Sequence, residues 1–124
     1  MARINLLGMV AMESAYAQGG PWLAALLAYL QKNRDTISDF VSAGELPGVH
    51  MARPEGTFLA WLDFRNTPWA DAPAKHVLEH AKVALNEGTW FGDVGLGFAR
   101  LNFGCPRSIL LEGLQRIRTA LLAA

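Results

Sequence analysis

The spacing of apolar residues predicts two helices at the start of the chain. Helical periodicity covers Leu6–Gln18, which the pair Gly19-Gly20 ends, since glycine commonly terminates a helix. A second helical segment begins at Pro21, a residue suited to a first helical turn, and is stopped by Gly44. The opening part of the sequence therefore predicts a helical hairpin.

The rest of the chain mixes strand and helix signals. Thr57–Phe64 is short and rich in aromatic residues, and Phe98–Phe103 follows a glycine-rich turn at Gly92–Gly97, so both segments favour strands. Helical patterns cover Ala74–Leu85 and the segment that opens at Pro106. This order predicts a small sheet packed against helices, an α+β fold, in a single domain over residues 1–124.

Composition narrows the class of protein. The chain has 124 residues, of which 52% are apolar, and this is enough for one folded domain with a core. Its 11 basic residues equal its 11 acidic residues, so charge gives no case for nucleic acid or an anionic membrane. One cysteine excludes an intrachain disulfide and favours a cytoplasmic location. No apolar run reaches transmembrane length.

The strand Phe98–Phe103 carries the first candidate site. Side chains alternate across a strand, so Phe98, Arg100 and Asn102 share the face opposite the apolar one. An arginine there could bind a carboxylate through two parallel hydrogen bonds. Spacing alone favours a different interpretation, because a strand arginine more often lies on a solvated face.

A second candidate is the pattern H-x-x-E-H formed by His76, Glu79 and His80. Two histidines four positions apart lie on one face of a helix, as two zinc ligands must. A third ligand would be needed, and Glu87 and Glu112 are the obvious residues. Three fixed positions arise easily by chance on a polar helix, so a solvated surface without metal is the favoured interpretation.

Two further features are weaker. The glycines at 92, 95 and 97 have the wrong spacing for a dinucleotide site and lead into a strand, which indicates a flexible turn. Cys105 precedes Pro106 at a helix start, where a thiol pKa can fall. A small residue near a helix cap explains Cys105 equally well.

Three stretches resemble, in order, the motifs of one family. Residues 15–33 resemble the run AAY..G..WL.....YL..N, Pro54–Asp63 (PEGTFLAWLD) resembles PEATYLAWLD, and Gly97–Arg107 (GFARLNFGCPR) resembles GF.RLNFACPR. These are motifs of the cystathionine β-lyase branch of the class I/II aminotransferase family, whose enzymes depend on pyridoxal phosphate (PLP). With Phe91-Gly92 also matching, nearly the whole chain resembles the C-terminal small domain of these fold-type I enzymes.

The resemblance implies a small, mainly antiparallel sheet with helices against it. It also implies a role for Arg100, whose counterpart in the family binds the α-carboxylate of the amino-acid substrate. Asn102 shares its face and is a weaker candidate for substrate binding. Trp61 is another weak candidate for the pocket wall, although a place in the core is the stronger interpretation.

The resemblance also implies that most of the catalytic apparatus lies elsewhere. The family places the Schiff-base lysine and the PLP phosphate site in its large domain. The lysines here are Lys32, Lys75 and Lys82, all outside that motif. The expected function is therefore the C-terminal part of a cystathionine β-lyase-like enzyme acting on amino acids. The chain alone is expected to hold no PLP and to be inactive.

Two alternatives remain open at this point. The chain could be a non-catalytic remnant that acts as a self-association or binding module, because loss of the large domain would expose apolar surface near Phe98, Trp61 and the first helix. Such surface favours a homo-oligomer. The other alternative is a metallohydrolase that uses His76 and His80. The sequence does not separate lyase from aminotransferase activity.

Overall fold

A computed structural model describes residues 5–124, and within them it contains four α-helices and four strands. In chain order the elements are α1 (Leu6–Gln18), α2 (Gly20–Ser42), β1 (His50–Met51), β2 (Leu59–Asp63), α3 (Pro73–His76), β3 (Asn86–Glu87), β4 (Phe98–Asn102) and α4 (Arg107–Leu122). A π-helical turn, Val77–Ala81, continues α3, and two 3-10 turns, Gly88–Phe91 and Asp93–Gly95, connect β3 to β4. The predicted α+β class is confirmed.

The four strands form one antiparallel sheet in the order β1-β2-β4-β3. The two long strands, β2 and β4, pair in the centre, and the two-residue strands form the edges. In this register Trp61 lies opposite Arg100, and Asn86 of β3 lies opposite Arg100 on the other side. The sheet therefore aligns three side-chain positions across β2, β4 and β3.

One face of the sheet forms the hydrophobic core with the helices. The inward residues of β2 and β4 alternate with outward ones, as the pleat of a strand requires. They are Ala60, Leu62, Ala99 and Leu101, and each is at most 5% exposed. The apolar stripe of α4 packs in the same cluster, as the helical spacing predicts, through Leu110, Leu114, Ile117 and Leu121.

The predicted helix Ala74–Leu85 is wrong in its extent. Regular helix ends early, the π-helical turn follows, and Lys82 adopts a left-handed conformation with φ of 56° that stops the helix. Asn86 and Glu87, which follow the predicted helix, pair with β4 as an edge strand. This pairing gives hydrogen-bond partners to backbone N–H and C=O groups of β4, which a helix at residues 86 and 87 could not provide. β1 was not predicted, because two residues show no periodicity.

The helix α1 stands apart from the core. Every residue of α1 is exposed, including apolar residues that normally seek burial. They include Leu6, Leu7, Met9, Val10, Met12 and Tyr16. The first turns of α2 continue this surface with Trp22 and Leu23 exposed. The expected exposure of apolar surface at the first helix is therefore present.

A buried amide joins α2 to the end of β4. Asn33 is 0% exposed, and its Nδ2 donates hydrogen bonds to the carbonyl oxygens of Phe103 and Cys105, both at 2.9 Å. Its Oδ1 accepts a hydrogen bond from Arg107 Nε at 3.2 Å. The Tyr29 hydroxyl accepts a bond from the Arg107 backbone N–H at 2.7 Å. Together these bonds fix the turn from β4 into α4 against α2.

The Asn33 contacts predict a large effect on stability. Asn33→Ala leaves buried carbonyl groups without donors, and each such group costs about 1–3 kcal/mol. We expect the free energy of unfolding to fall by about 3 kcal/mol, measured by urea denaturation. Gln31→Ala, on the exposed side of the same helix, is the control and should change it by less than about 0.5 kcal/mol. Equal midpoints for the two variants would contradict the prediction.

Candidate carboxylate-binding site

The outer face of the sheet brings Arg100 together with Asn86 and Trp61. Strand pairing places Asn86 and Trp61 on either side of Arg100. Arg100 Nη2 donates a hydrogen bond to Asn86 Oδ1 at 3.0 Å, so the amide holds one end of the guanidinium. This contact spans two strands, and it fixes the direction in which the arginine side chain leaves the sheet.

An aromatic ring contacts the same guanidinium. The Arg100 Cζ atom lies 4.2 Å from the ring centroid of Phe91, a distance typical of a cation–π contact. Trp61 packs edge-to-face on Phe91 with centroids 5.4 Å apart and on Phe98 with centroids 6.5 Å apart. The three rings therefore form an aromatic cluster that begins at the Arg100 guanidinium.

A close approach of two glycines positions Phe91. The turns that carry Phe91 run from β3 to β4, and Gly88 and Gly95 meet where those turns fold back on themselves. A Cβ atom at either glycine would overlap the carbonyl oxygen of the other. Only glycine permits this contact, so the two residues set the position of the aromatic ring beneath Arg100.

Arg100 has no acidic partner among the described residues. Within residues 5–124 every arginine except Arg100 and Arg107 forms an ion pair with a carboxylate. Arg107 Nε donates to Asn33, and each of the two arginines has one buried N–H group without an acceptor, Nη2 in Arg107 and Nε in Arg100. A half-buried guanidinium with an open N–H is suited to a carboxylate ligand, which accepts two parallel hydrogen bonds.

The other two predicted site residues have different environments. Trp61 is 38% exposed on the outer face, so its expected place in the core is wrong: the pleat turns it away from Ala60 and Leu62. Asn102 lies on the Arg100 face, but its Oδ1 accepts a hydrogen bond from the Gly104 backbone N–H at 2.8 Å. Asn102 therefore stabilises the turn after β4 as well as bordering the site.

Two residues of the site were not predicted from the sequence as site residues. Asn86 and Phe91 both contact the Arg100 guanidinium. Asn86 carried no local signal, because its role depends on the pairing of a two-residue strand. Phe91 stood in a motif of the family resemblance, and that was the only sequence signal for it.

The remaining candidates lie away from Arg100 or lack suitable chemistry. Burial raises the pKa of the half-buried Cys105 thiol, which disfavours the thiolate that a nucleophile needs. The carboxylate of Glu87 accepts hydrogen bonds from the backbone N–H groups of Ala74 and Lys75 at the start of α3. Glu112 pairs with an arginine within α4. Neither glutamate is the third metal ligand that the sequence suggested.

Known proteins match this chain over almost its whole length. The cystathionine β-lyase PatB of Bacillus subtilis is 43% identical over 119 residues, which cover 95% of this chain and 30% of PatB. Protein MalY of Escherichia coli is 42% identical over 120 residues, which cover 96% of this chain and 30% of MalY. No protein-family model matches.

Solved structures agree with the sequence matches. The PLP-bound C–S lyase from Staphylococcus hominis superposes with a TM-score of 0.89 at 32% identity, over 98% of this chain and 33% of that one. Cystalysin from Treponema denticola, which contains PLP, gives a TM-score of 0.88 at 31% identity over 98% of this chain and 31% of that one. The chain corresponds to a C-terminal part of the cystathionine β-lyase and C–S lyase family. It spans about a third of the length of the relatives that it matches.

The three lysines of the sequence lie on the surface of the domain. Lys32 and Lys75 are exposed on helices. Lys82 is exposed as well, and its ammonium donates a hydrogen bond to the backbone carbonyl of Glu79 at 2.9 Å. None of the three lysines lines the aromatic hollow formed by Trp61 and Phe91. Lys82 does line the neighbouring hollow that also contains Arg100 and Asn86. Within residues 5–124 no helix has the length and apolar character needed to cross a bilayer.

Proposed function

We propose that residues 1–124 form one domain, which supplies the substrate-carboxylate site of a PLP-dependent C–S lyase or aminotransferase acting on amino acids. The observation that carries the proposal is the state of Arg100. Its guanidinium is anchored by Asn86 and Phe91, its buried Nε lacks an acceptor, and it has no acidic partner within residues 5–124. The names of PatB and of the C–S lyase support the class of reaction.

In this proposal each residue of the site has a separate task. Arg100 binds the α-carboxylate through two hydrogen bonds, which fixes the orientation of the amino acid. Asn86 holds the guanidinium in place, and Trp61 and Phe91 form an apolar border that keeps water from the ion pair. An ion pair shielded from water is stronger than an exposed one. Asn102 borders the site more weakly.

We infer that PLP is held by a part of the protein that this chain does not contain. Bound PLP supplies an electron sink to the enzymes that carry it. The chain contributes the carboxylate ligand and has no catalytic group of its own in this proposal, so it is inactive alone. The amino-acid substrate and the PLP-bearing domain are its proposed partners.

Borohydride trapping tests where the cofactor is held. We expect purified chain treated with PLP and borohydride to show weak labelling scattered over the exposed Lys32, Lys75 and Lys82. Peptide mass spectrometry gives the occupancy of each lysine, and PatB treated in the same way is the positive control. A stoichiometric adduct at a single lysine of this chain would show that the chain forms a cofactor site of its own.

A chimera tests the role of Arg100. The matching segment of PatB is replaced by this chain, and thiol release from cystathionine is measured. Arg100→Gln should lower kcat/KM by about 10- to 100-fold, because hydrogen bonds to a charged group contribute about 1.5–3 kcal/mol. Arg100→Lys keeps the charge but loses the paired hydrogen bonds, and an intermediate value is expected.

The control for the chimera is Arg53→Gln. Arg53 is 59% exposed and pairs with Asp35 far along the chain from Arg100, so its loss should leave kcat/KM within about twofold. If Arg100→Gln and Arg53→Gln have the same kcat/KM, Arg100 is not the carboxylate ligand. An inactive parent chimera with correct folding would contradict the wider proposal that this chain completes such an enzyme.

A second function, self-association, is favoured by α1. The apolar side chains of this helix are all exposed, and a surface of this kind is usually covered by another chain or domain. We infer that a second copy covers it when the chain is alone. Sedimentation should show a concentration-dependent homo-oligomer, and Leu7→Lys with Val10→Lys should shift it to monomer. A parent chain that stays monomeric at high concentration would contradict this inference.

A further inference from the structure

A second cluster of reactive side chains lies on α3 and the π-helical turn. One ring nitrogen of His76, one of His80 and a carboxylate oxygen of Glu79 lie within 4.8 Å of one another. His80 and Glu79 are exposed, and His76 is half-buried. Nothing in the proposed substrate site uses these three residues.

The fold holds the two imidazoles in place. Val77 and Ala81 of the π-helical turn are buried in the core, which leaves His80 on the outside. The indole of Trp69 packs nearly parallel to both histidine rings, with centroids 6.1 Å from His76 and 5.8 Å from His80. The two imidazoles are themselves 6.0 Å apart and within 12° of parallel. The ligands are therefore largely ordered before any ion binds.

A fourth residue orients His76. His76 Nε2 lies 3.0 Å from Asp71 Oδ1, and a carboxylate can only accept, so the neutral imidazole carries its proton on Nε2. The lone pair is then on Nδ1, which is buried and has no hydrogen-bond partner. A carboxylate that fixes the tautomer of a ligating histidine is the usual second partner in metal sites.

We propose that His76, Glu79 and His80 bind a divalent transition-metal ion of the Zn²⁺ type, with Asp71 as the orienting carboxylate. Two imidazoles and one carboxylate are ligands that Zn²⁺ accepts, and water completes the coordination. The two carboxylates, Glu79 and Asp71, balance the charge of the ion. The site has no hydrolytic role, because Glu79 is a ligand here and is not free to act as a base.

Binding of this kind has a structural consequence. Glu79 and His80 belong to the π-helical turn, Val77–Ala81, and His76 directly precedes it. A bound ion therefore links the end of the regular helix to the turn that follows. The ligand geometry exists only in the folded chain, and an ion that binds the native state stabilises it. The proposed role of the metal is therefore to stabilise this turn.

The test is calorimetric titration of the tag-free chain with ZnCl₂ in a buffer that does not chelate metals. We expect a stoichiometry of one ion per chain and a rise in Tm with added zinc. His80→Gln should abolish binding, and Glu79→Gln should weaken it; both residues are exposed, so the fold is retained and is checked by circular dichroism. Asp71→Asn should lower the affinity by roughly 10- to 100-fold.

Two controls separate this site from other zinc ligands. His50→Gln changes the one histidine outside the cluster, and Cys105→Ser removes the only thiol; neither should change the affinity. Absence of binding to the parent chain would overturn the proposal. Binding that survives His80→Gln, or that is lost on His50→Gln or Cys105→Ser, would overturn it as well. None of these outcomes bears on the role proposed for Arg100.

Discussion

The hydrogen bonds of Asn33 are the constraint on which the candidate site depends. Its buried amide binds the carbonyl oxygens of Phe103 and Cys105 directly after β4 and accepts from Arg107 at the start of α4. An interior backbone carbonyl without a donor is costly, so the side chain that satisfies two of them fixes where the chain must turn. Because β4 pairs with both β2 and β3, fixing its end also fixes the strand that carries Arg100.

The two faces of β4 show how packing on one side determines chemistry on the other. Ala99 and Leu101 are buried against the helices, and a shift of one residue in the register would place Arg100 in that core. The register that buries the apolar residues is therefore the register that sets Arg100 between Trp61 and Asn86. The glycine contact between Gly88 and Gly95 then brings Phe91 to the guanidinium.

The sequence predicted the parts of the fold that depend on long periodic segments. Both central strands and the apolar stripe of α4 follow directly from the alternation and spacing of their residues. Two-residue strands and a π-helical turn have no comparable pattern, so β1, β3 and Val77–Ala81 could not be predicted. Trp61 was expected in the core, although its alternation with Ala60 and Leu62 already indicates an outward side chain.

A comparison of Arg100 with Arg107 bears on the proposed carboxylate site. Both lack an acidic partner within residues 5–124, and each lies over an aromatic ring. Arg107 donates to Asn33 at a junction of three elements, and its Nη2 is buried without a hydrogen-bond acceptor. Arg100 is held by the amide of Asn86 and the ring of Phe91. Neither group carries a negative charge, so the half-buried guanidinium has no counterion among the described residues. A half-buried charge without a counterion costs free energy, and this cost is the physical basis of our proposal that a carboxylate binds at Arg100.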